Sequence, residues 1–375
     1  MFLAWRELIH ARSRFALMGS VVALISILMV LLAGLSSGLV NDGVSGLQRM
    51  PVQAVAFAPD TRTDSAFTRS VVGPDQVVAW AERPDVEVAT PMGLSIINAK
   101  TSAGTPVDLT LIGAETGGPL VPEAAEGRMP EADGEILVSG TAADDVSVGD
   151  TVVVDRLDIP LTVVGIAGDQ HTFGHVDMAF TTLPTWQDVH SGTRFGEESR
   201  PGADEEYSVV ALMGVDGKEP DLAAGDAAAD TSALPMKEAY NSSPGYQAET
   251  LTMSMITWFL YAISALVVGA FFAILTVQRS REIAVLRAMG ASTAKLLIDA
   301  IGQALILLVI SIGVGVAIGV GAGSLLLGTG MPFALEVGPI ALGAGLLLVL
   351  GLIGATLATV RISSVDPHSA LGENR

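Results

Sequence analysis

Apolar positions along this chain fall into four long runs, at 15–40, 251–277, 298–327 and 337–360. Each can cross a hydrocarbon layer of roughly 30 Å as a helix, which takes about 20 apolar residues. The runs are unevenly placed. More than two hundred residues separate the first from the second, whereas short connections, 278–297 and 328–336, join the other three. The long segment, 41–250, has a different texture: short apolar stretches alternate with Gly, Pro and Asp clusters at strand-and-turn spacing. This pattern predicts strands at 52–57, 86–97, 107–112, 135–138, 151–154, 161–166 and 208–213, and helices near 75–82, 184–189 and 220–228. The expected fold is a membrane protein with four transmembrane α-helices in a 1+3 arrangement and a large α+β extracellular domain between the first and second.

Charge sets the orientation. Arg6, Arg12 and Arg14 precede the first run, and Arg279, Arg281, Arg287 and Lys295 lie in the connection after the second, so both belong on the cytoplasmic side. Segment 41–250 holds 11 of the 20 basic and 34 of the 40 acidic residues, a net charge of −23, and belongs outside. Both termini, 1–14 and 361–375, are then cytoplasmic, and the protein sits in the cell membrane. The first run could be a cleaved leader, but it exceeds the usual apolar core of roughly 7–15 residues. Phe2, Leu3, Trp5, Leu8 and Ile9, interleaved with charge, read as a helix lying in the inner interface ahead of a permanent span.

Several chemistries are excluded or weakly supported. Cysteine is absent, which removes disulfides and thiolate metal sites. The Gly217–Lys218 pair lacks the upstream glycine of a phosphate-binding loop, so ATP must be hydrolysed by another chain. So acidic an outer domain argues against nucleic acid. His171 and His175, four apart with Asp177 nearby, could ligate a metal on a helix, but Thr172, Phe173 and Gly174 between them favour a turn. A Gly-x-Ser-x-Gly match at 34–38 ends a membrane span instead of joining a strand to a helix, so a nucleophile elbow is not expected. The chain reads as no enzyme, with no catalytic residues, no resident metal and no cofactor of its own.

The cytoplasmic connection QRSREIAVLRAMGASTAKLL, 278–297, carries an apolar helix past the membrane into basic residues and turns at Gly290. It resembles the Arg-Glu-Ile-Ala-x-Leu-Arg-Ala-x-Gly-Ala segment of the MacB/FtsX superfamily of ABC transporter permeases. The 1+3 plan and a terminal Val365-Asp366-Pro367 with Ala370 and Leu371 are similar to that family too. The resemblance implies a homodimer working with two copies of a separate cytosolic ATPase that binds ATP and Mg. It implies that Arg281, Glu282, Arg287 and Gly290 couple to that ATPase, and that the outer domain moves with it, a mechanism called mechanotransmission.

The opening MFLAWRELIHARSRFALMGS and the stretch SPGYQAETLTMSMI, 243–256, further resemble haem-efflux permeases of the HrtB type, with DevC-like exporters next. Haem would then be the substrate, an apolar plate whose iron accepts His, Met or Tyr. The spans contain no histidine, which leaves Met29, Met253, Met255 and Tyr246 as candidate contacts. Each methionine could equally be an adaptable packing residue, and Tyr246 an interfacial anchor. Lateral entry from the lipid, between the first two helices, is the expected route. Two alternatives use the same plan: a non-transporting regulator of a cell-wall hydrolase, like FtsX, and a lipid or lipoprotein exporter.

Overall fold

The computed structural model describes residues 12–278, 293–327 and 329–363. These form two compact units, Leu39–Glu249 and the helical remainder.

Helix α1, Arg12–Arg49, runs nine residues past the expected end of the first span, to about 57 Å at 1.5 Å per residue. The Asn41-Asp42-Gly43 cluster looks like a helix stop. The helix nevertheless continues, with one break at Val44 (φ −147°, ψ 15°). Val44 and Leu47 are buried, Leu47 within the outer domain's core, and the Thr172 hydroxyl donates to the Asn41 carbonyl at 3.1 Å.

The outer unit continues through β1 (Ala54–Phe57), α2 (Ala66–Arg69), α3 (Pro74–Ala81), β2 (Val86–Thr101), β3 (Pro106–Ala114), β4 (Ala124–Gly127), β5 (Glu135–Val138) and β6 (Thr151–Val154). It ends with β7 (Ile159–Ala167), β8 (Thr172–Phe173), β9 (Val176–Thr182), α4 (Leu183–Ser191), β10 (Val209–Gly214), α5 (Leu222–Ala229), β11 (Ser232–Pro235) and α6 (Met236–Ala239). One mixed sheet runs in the order β11-β1-β10-β2-β3-β9-β5-β7-β4, with β6 against β2 and β7, and β8 against β9. The β3–β9 and β5–β7 pairs are parallel and the others antiparallel. The sixteen-residue β2 is the spine, pairing with β10 through its first half and with β3 through its second.

Glycines inside strands mark where helices press on the sheet. Trp186 of α4 lies over Gly93 in β2 and Gly113 in β3, so closely that a Cβ at either would fall within its side chain. Trp80 of α3 sits on Gly225 of α5 in the same way, and its indole N–H donates to Thr231 at 3.0 Å. Helix α5 starts later than Pro220 because the Asp221 carboxylate accepts the Ala224 N–H at 3.2 Å, the capping bond that fixes its first turn. Strands β4, β8, β9 and β11 and the short α2 and α6 are additions to the pattern expected from the sequence. In β9 five consecutive residues, Met178–Thr182, are buried, so no alternation betrays it.

In the helical unit, α7 (Tyr246–Gln278), α8 (Thr293–Ser324) and α9 (Val337–Ser363) join α1. Small residues set the crossings, as expected where lipid supplies no hydrophobic drive between helices. Gly315 and Gly319 of α8 face Ala23, Ser26 and Val30 of α1, and the Ser26 hydroxyl donates to the Ile312 carbonyl at 3.2 Å. Gly269 of α7 meets Gly354 of α9 backbone to backbone. The segment 329–336 packs on α1: Phe333 covers Gly34, the Pro332 carbonyl covers Gly38, and the Ala334 N–H donates to the Gly34 carbonyl at 3.0 Å. The Gly-x-Ser-x-Gly match is therefore a seat for this loop.

Candidate functional site

The β8–β9 hairpin turns through Gly174 (φ 60°) and His175 (φ 64°), two left-handed residues between the paired Phe173 and Val176. This is the two-residue geometry that matches strand twist. Non-glycine residues are uncommon in that region, and histidine is among those that enter it most readily. The turn also separates the two histidines proposed as a metal pair. His171 is buried edge-on against Phe180, with Nδ1 3.0 Å from the Asp169 carbonyl. Burial pushes its imidazole below the ordinary value, partly offset by that carbonyl. His175 instead projects between two helices. Among the described residues, no group of three His, Asp or Glu can hold a metal ion.

His175 Nδ1 lies 2.8 Å from Oδ2 of Asp42 in α1, and Nε2 lies 3.1 Å from both carboxylate oxygens of Glu249, in the first turn of α7. The three side chains are each between about a quarter and two-fifths exposed. Burial alone would push the His175 imidazole down, but the hydrogen bond to Asp42 and the charges of Glu249 and Asp42 outweigh it and hold it above its ordinary value.

Hydrogen bonds knit the same hairpin to α1 and to the start of α7. Ser45 and Thr172 share a hydroxyl bond of 2.7 Å, and Ser45 also accepts the Thr172 N–H. The Gly174 N–H donates to the Gly43 carbonyl at 2.9 Å, and the Ser243 hydroxyl donates to that same carbonyl at 2.9 Å. Gly43 leaves room for the Tyr246 and His175 rings, either of which a side chain there would touch. Asp177 accepts from Thr141; burial raises its carboxyl above the usual range, against the pull of the Thr141 and Ser139 bonds.

The proposed substrate contacts fall into both units. Tyr246 belongs to the outer unit and is half-buried, edge-on to Tyr240 at 6.2 Å. Met29 is 2% exposed in the helical unit, and a Cβ at Gly343 would strike its sulfur and approach the Tyr261 hydroxyl. Met29 is thus packed among its neighbouring helices rather than open to a ligand. Met253 is half-buried, and Met255, at 53% exposed, is open on the surface of α7. Arg281, Glu282, Arg287 and Gly290, expected to couple to an ATPase, lie outside the described residues.

A lateral groove of about 570 Å³ opens between α1 and α8. Its walls include Phe15, Leu24, Leu307 and Val314, and its only hydroxyls are those of Ser20 and Ser311. Nothing about it favours a charged ligand.

Sequence reasoning missed the His175 cluster, because Asp42 and Glu249 stand 133 and 74 residues away. The available signal was a carboxylate at Glu249 where an apolar helix begins, which lacked only its partner.

Comparison with known proteins matches the MacB-like periplasmic core domain over residues 16–229 and the FtsX-like permease C-terminal over 254–367. A Staphylococcus haemolyticus protein named as the hemin transport system permease HrtB is 24% identical, covering 99% of each chain. An uncharacterized ABC transporter permease of Mycobacterium tuberculosis, Rv0072, is 25% identical over 99% of both chains. The crystal structure of the periplasmic region of MacB from Actinobacillus actinomycetemcomitans overlays 52% of this chain and 94% of its own, with a TM-score of 0.35 and 12% identity.

Proposed function

Because this chain belongs to the MacB/FtsX type of ABC transporter permeases, a multi-pass membrane protein with its large domain outside, we propose that it is the membrane subunit of a haem efflux pump. The observation that carries the substrate is the end-to-end match to permeases named for hemin transport, with no large insertion in either partner. ATP would be bound and split, with Mg, by a separate cytosolic ATPase, two copies of which serve a homodimer of this chain.

Haem dissolves in the bilayer as an apolar plate, so a lateral route from lipid suits it better than a water-filled channel. Met255 offers sulfur on the exposed face of α7, the half-buried Met253 offers one on another face, and Tyr246 offers an oxygen; all are weak ligands, as release requires. Met29, buried among the helices, would join only after they part.

The test is growth in haem. A strain lacking this chain should stop growing at haem concentrations its parent tolerates and accumulate cell-associated haem, and the intact gene should restore both. Equal haem tolerance with and without the chain would discard the substrate and leave lipid export or signalling through the outer domain.

A further inference from the structure

Each nitrogen of His175 faces a carboxylate, Nδ1 toward Asp42 and Nε2 toward Glu249. A neutral imidazole has one N–H and one lone pair, so it would set that lone pair against a carboxylate; only the imidazolium donates to both. The two acids belong to different helices that lead into the membrane: Asp42 to α1, two residues before its break at Val44, and Glu249 to the first turn of α7. The left-handed conformation at Gly174 and His175 is the one that a two-residue hairpin turn demands, and it sets His175 at the tip of the β8–β9 hairpin.

We infer that His175 is a positioning residue: as an imidazolium it ties the broken outer segment of α1, through Asp42, to the first turn of α7, through Glu249, and loss of its proton unties them. In a permease that works by moving these helices, this tie sets the resting position of their outer ends and makes it dependent on external pH. The inference goes beyond the haem reading and needs no particular substrate.

The sign follows from the raised pKa. The tie is complete below the ordinary histidine value of 6.5 and is lost as pH climbs through the higher value held in the folded protein. Other titratable groups around the site do not reverse this. On the hairpin, burial raises the Asp177 carboxyl above its usual range, and next to it Asp169 pairs with Arg49 of α1 at 3.8 Å. His171 is buried and shifted toward neutrality. On α7 the remaining group is the Tyr246 phenol, beside Gly43. No cation among them competes for Asp42 or Glu249.

The experiment is hydrogen exchange on the full chain in nanodiscs, without nucleotide or haem, following peptides that cover 39–50 and 243–252. At about pH 6, His175→Gln should exchange roughly five-fold faster than wild type in both peptides, a modest factor because the three groups are partly exposed to solvent. At about pH 9, after correction for intrinsic rates, the two proteins should converge as wild type loses its proton. Equal protection at the lower pH would overturn the inference. So would a difference that persists unchanged at the higher pH, which would mark a merely structural histidine. Should His175→Gln fail to fold, Glu249→Gln leaves the hairpin intact and must loosen 243–252 with the same pH profile. Because no haem is present, failure here leaves the substrate reading untouched, and the growth test leaves this one untouched.

Discussion

Valine in place of Gly38 should strip the outer loop 329–336 from α1 and cost the helical unit about 3 kcal/mol, the upper end of what overpacking a filled interior costs. The estimate sits high because a Cβ at position 38 meets the Pro332 carbonyl and the Phe333 backbone nitrogen, and no flexible side chain can swing aside to admit it. The bond from the Ala334 N–H to the Gly34 carbonyl, one turn away, would go with it. Thermal unfolding of the detergent-purified chain should show a melting temperature several degrees lower. Gly313→Ala is the matched control: it lies on the same unit with open space around it, so alanine there should be neutral or slightly stabilising through helix propensity. Equal melting for Gly38→Val and wild type would contradict the packing described for the outer loop.

Replacing Arg281 and Glu282 together by alanine should leave the chain folded and in the membrane but lower export by about 5- to 100-fold, the range of typical coupling energies between sites. The 278–297 segment is similar to the coupling segment of MacB/FtsX permeases. By that likeness, a neighbouring basic and acidic residue would orient the ATPase against the membrane subunit, so that motion driven by ATP reaches the spans through this contact. ATP hydrolysis by the partner should continue in the double variant while haem accumulates in the cell. Wild-type export with normal membrane insertion would remove these residues from the coupling role.

Much of the fold was legible because two periodicities dominate the chain. The four spans are long apolar runs whose one charged residue is Asp299, at the start of the third, and the strands at 135–138 and 151–154 are bounded by Gly and Asp on the pattern that turns demand. Illegible elements lack a local signature: β9 is buried on both faces, β11 is four residues long and ends in Pro235, and α1 runs through a polar cluster because Leu47 and Ser45 find partners far along the chain. Distance in sequence also hid the site. His175 reads in the sequence as half of a metal pair with His171, whereas its pairing with Asp42 and Glu249 depends on a hairpin turn that places it beside α1 and α7. Of the four substrate candidates, Met29 shows the same limit: midway along a span it reads as available, yet its sulfur is packed against Gly343.

That packing also decides how haem binding is best tested. Truncating a buried methionine costs about 2–5 kcal/mol, so Met29→Ala would confuse lost binding with lost stability. Met255 is open to the surroundings, and Tyr246 is half-buried in the outer unit; both can be replaced with less disturbance. The direct measurement is a haem titration of the purified chain, followed at the Soret band, for wild type, Met255→Ala and Tyr246→Ala. A saturable shift in wild type that weakens in either variant is the result expected of a haem permease; a spectrum that changes only in proportion to added haem, identically in all three, would contradict it.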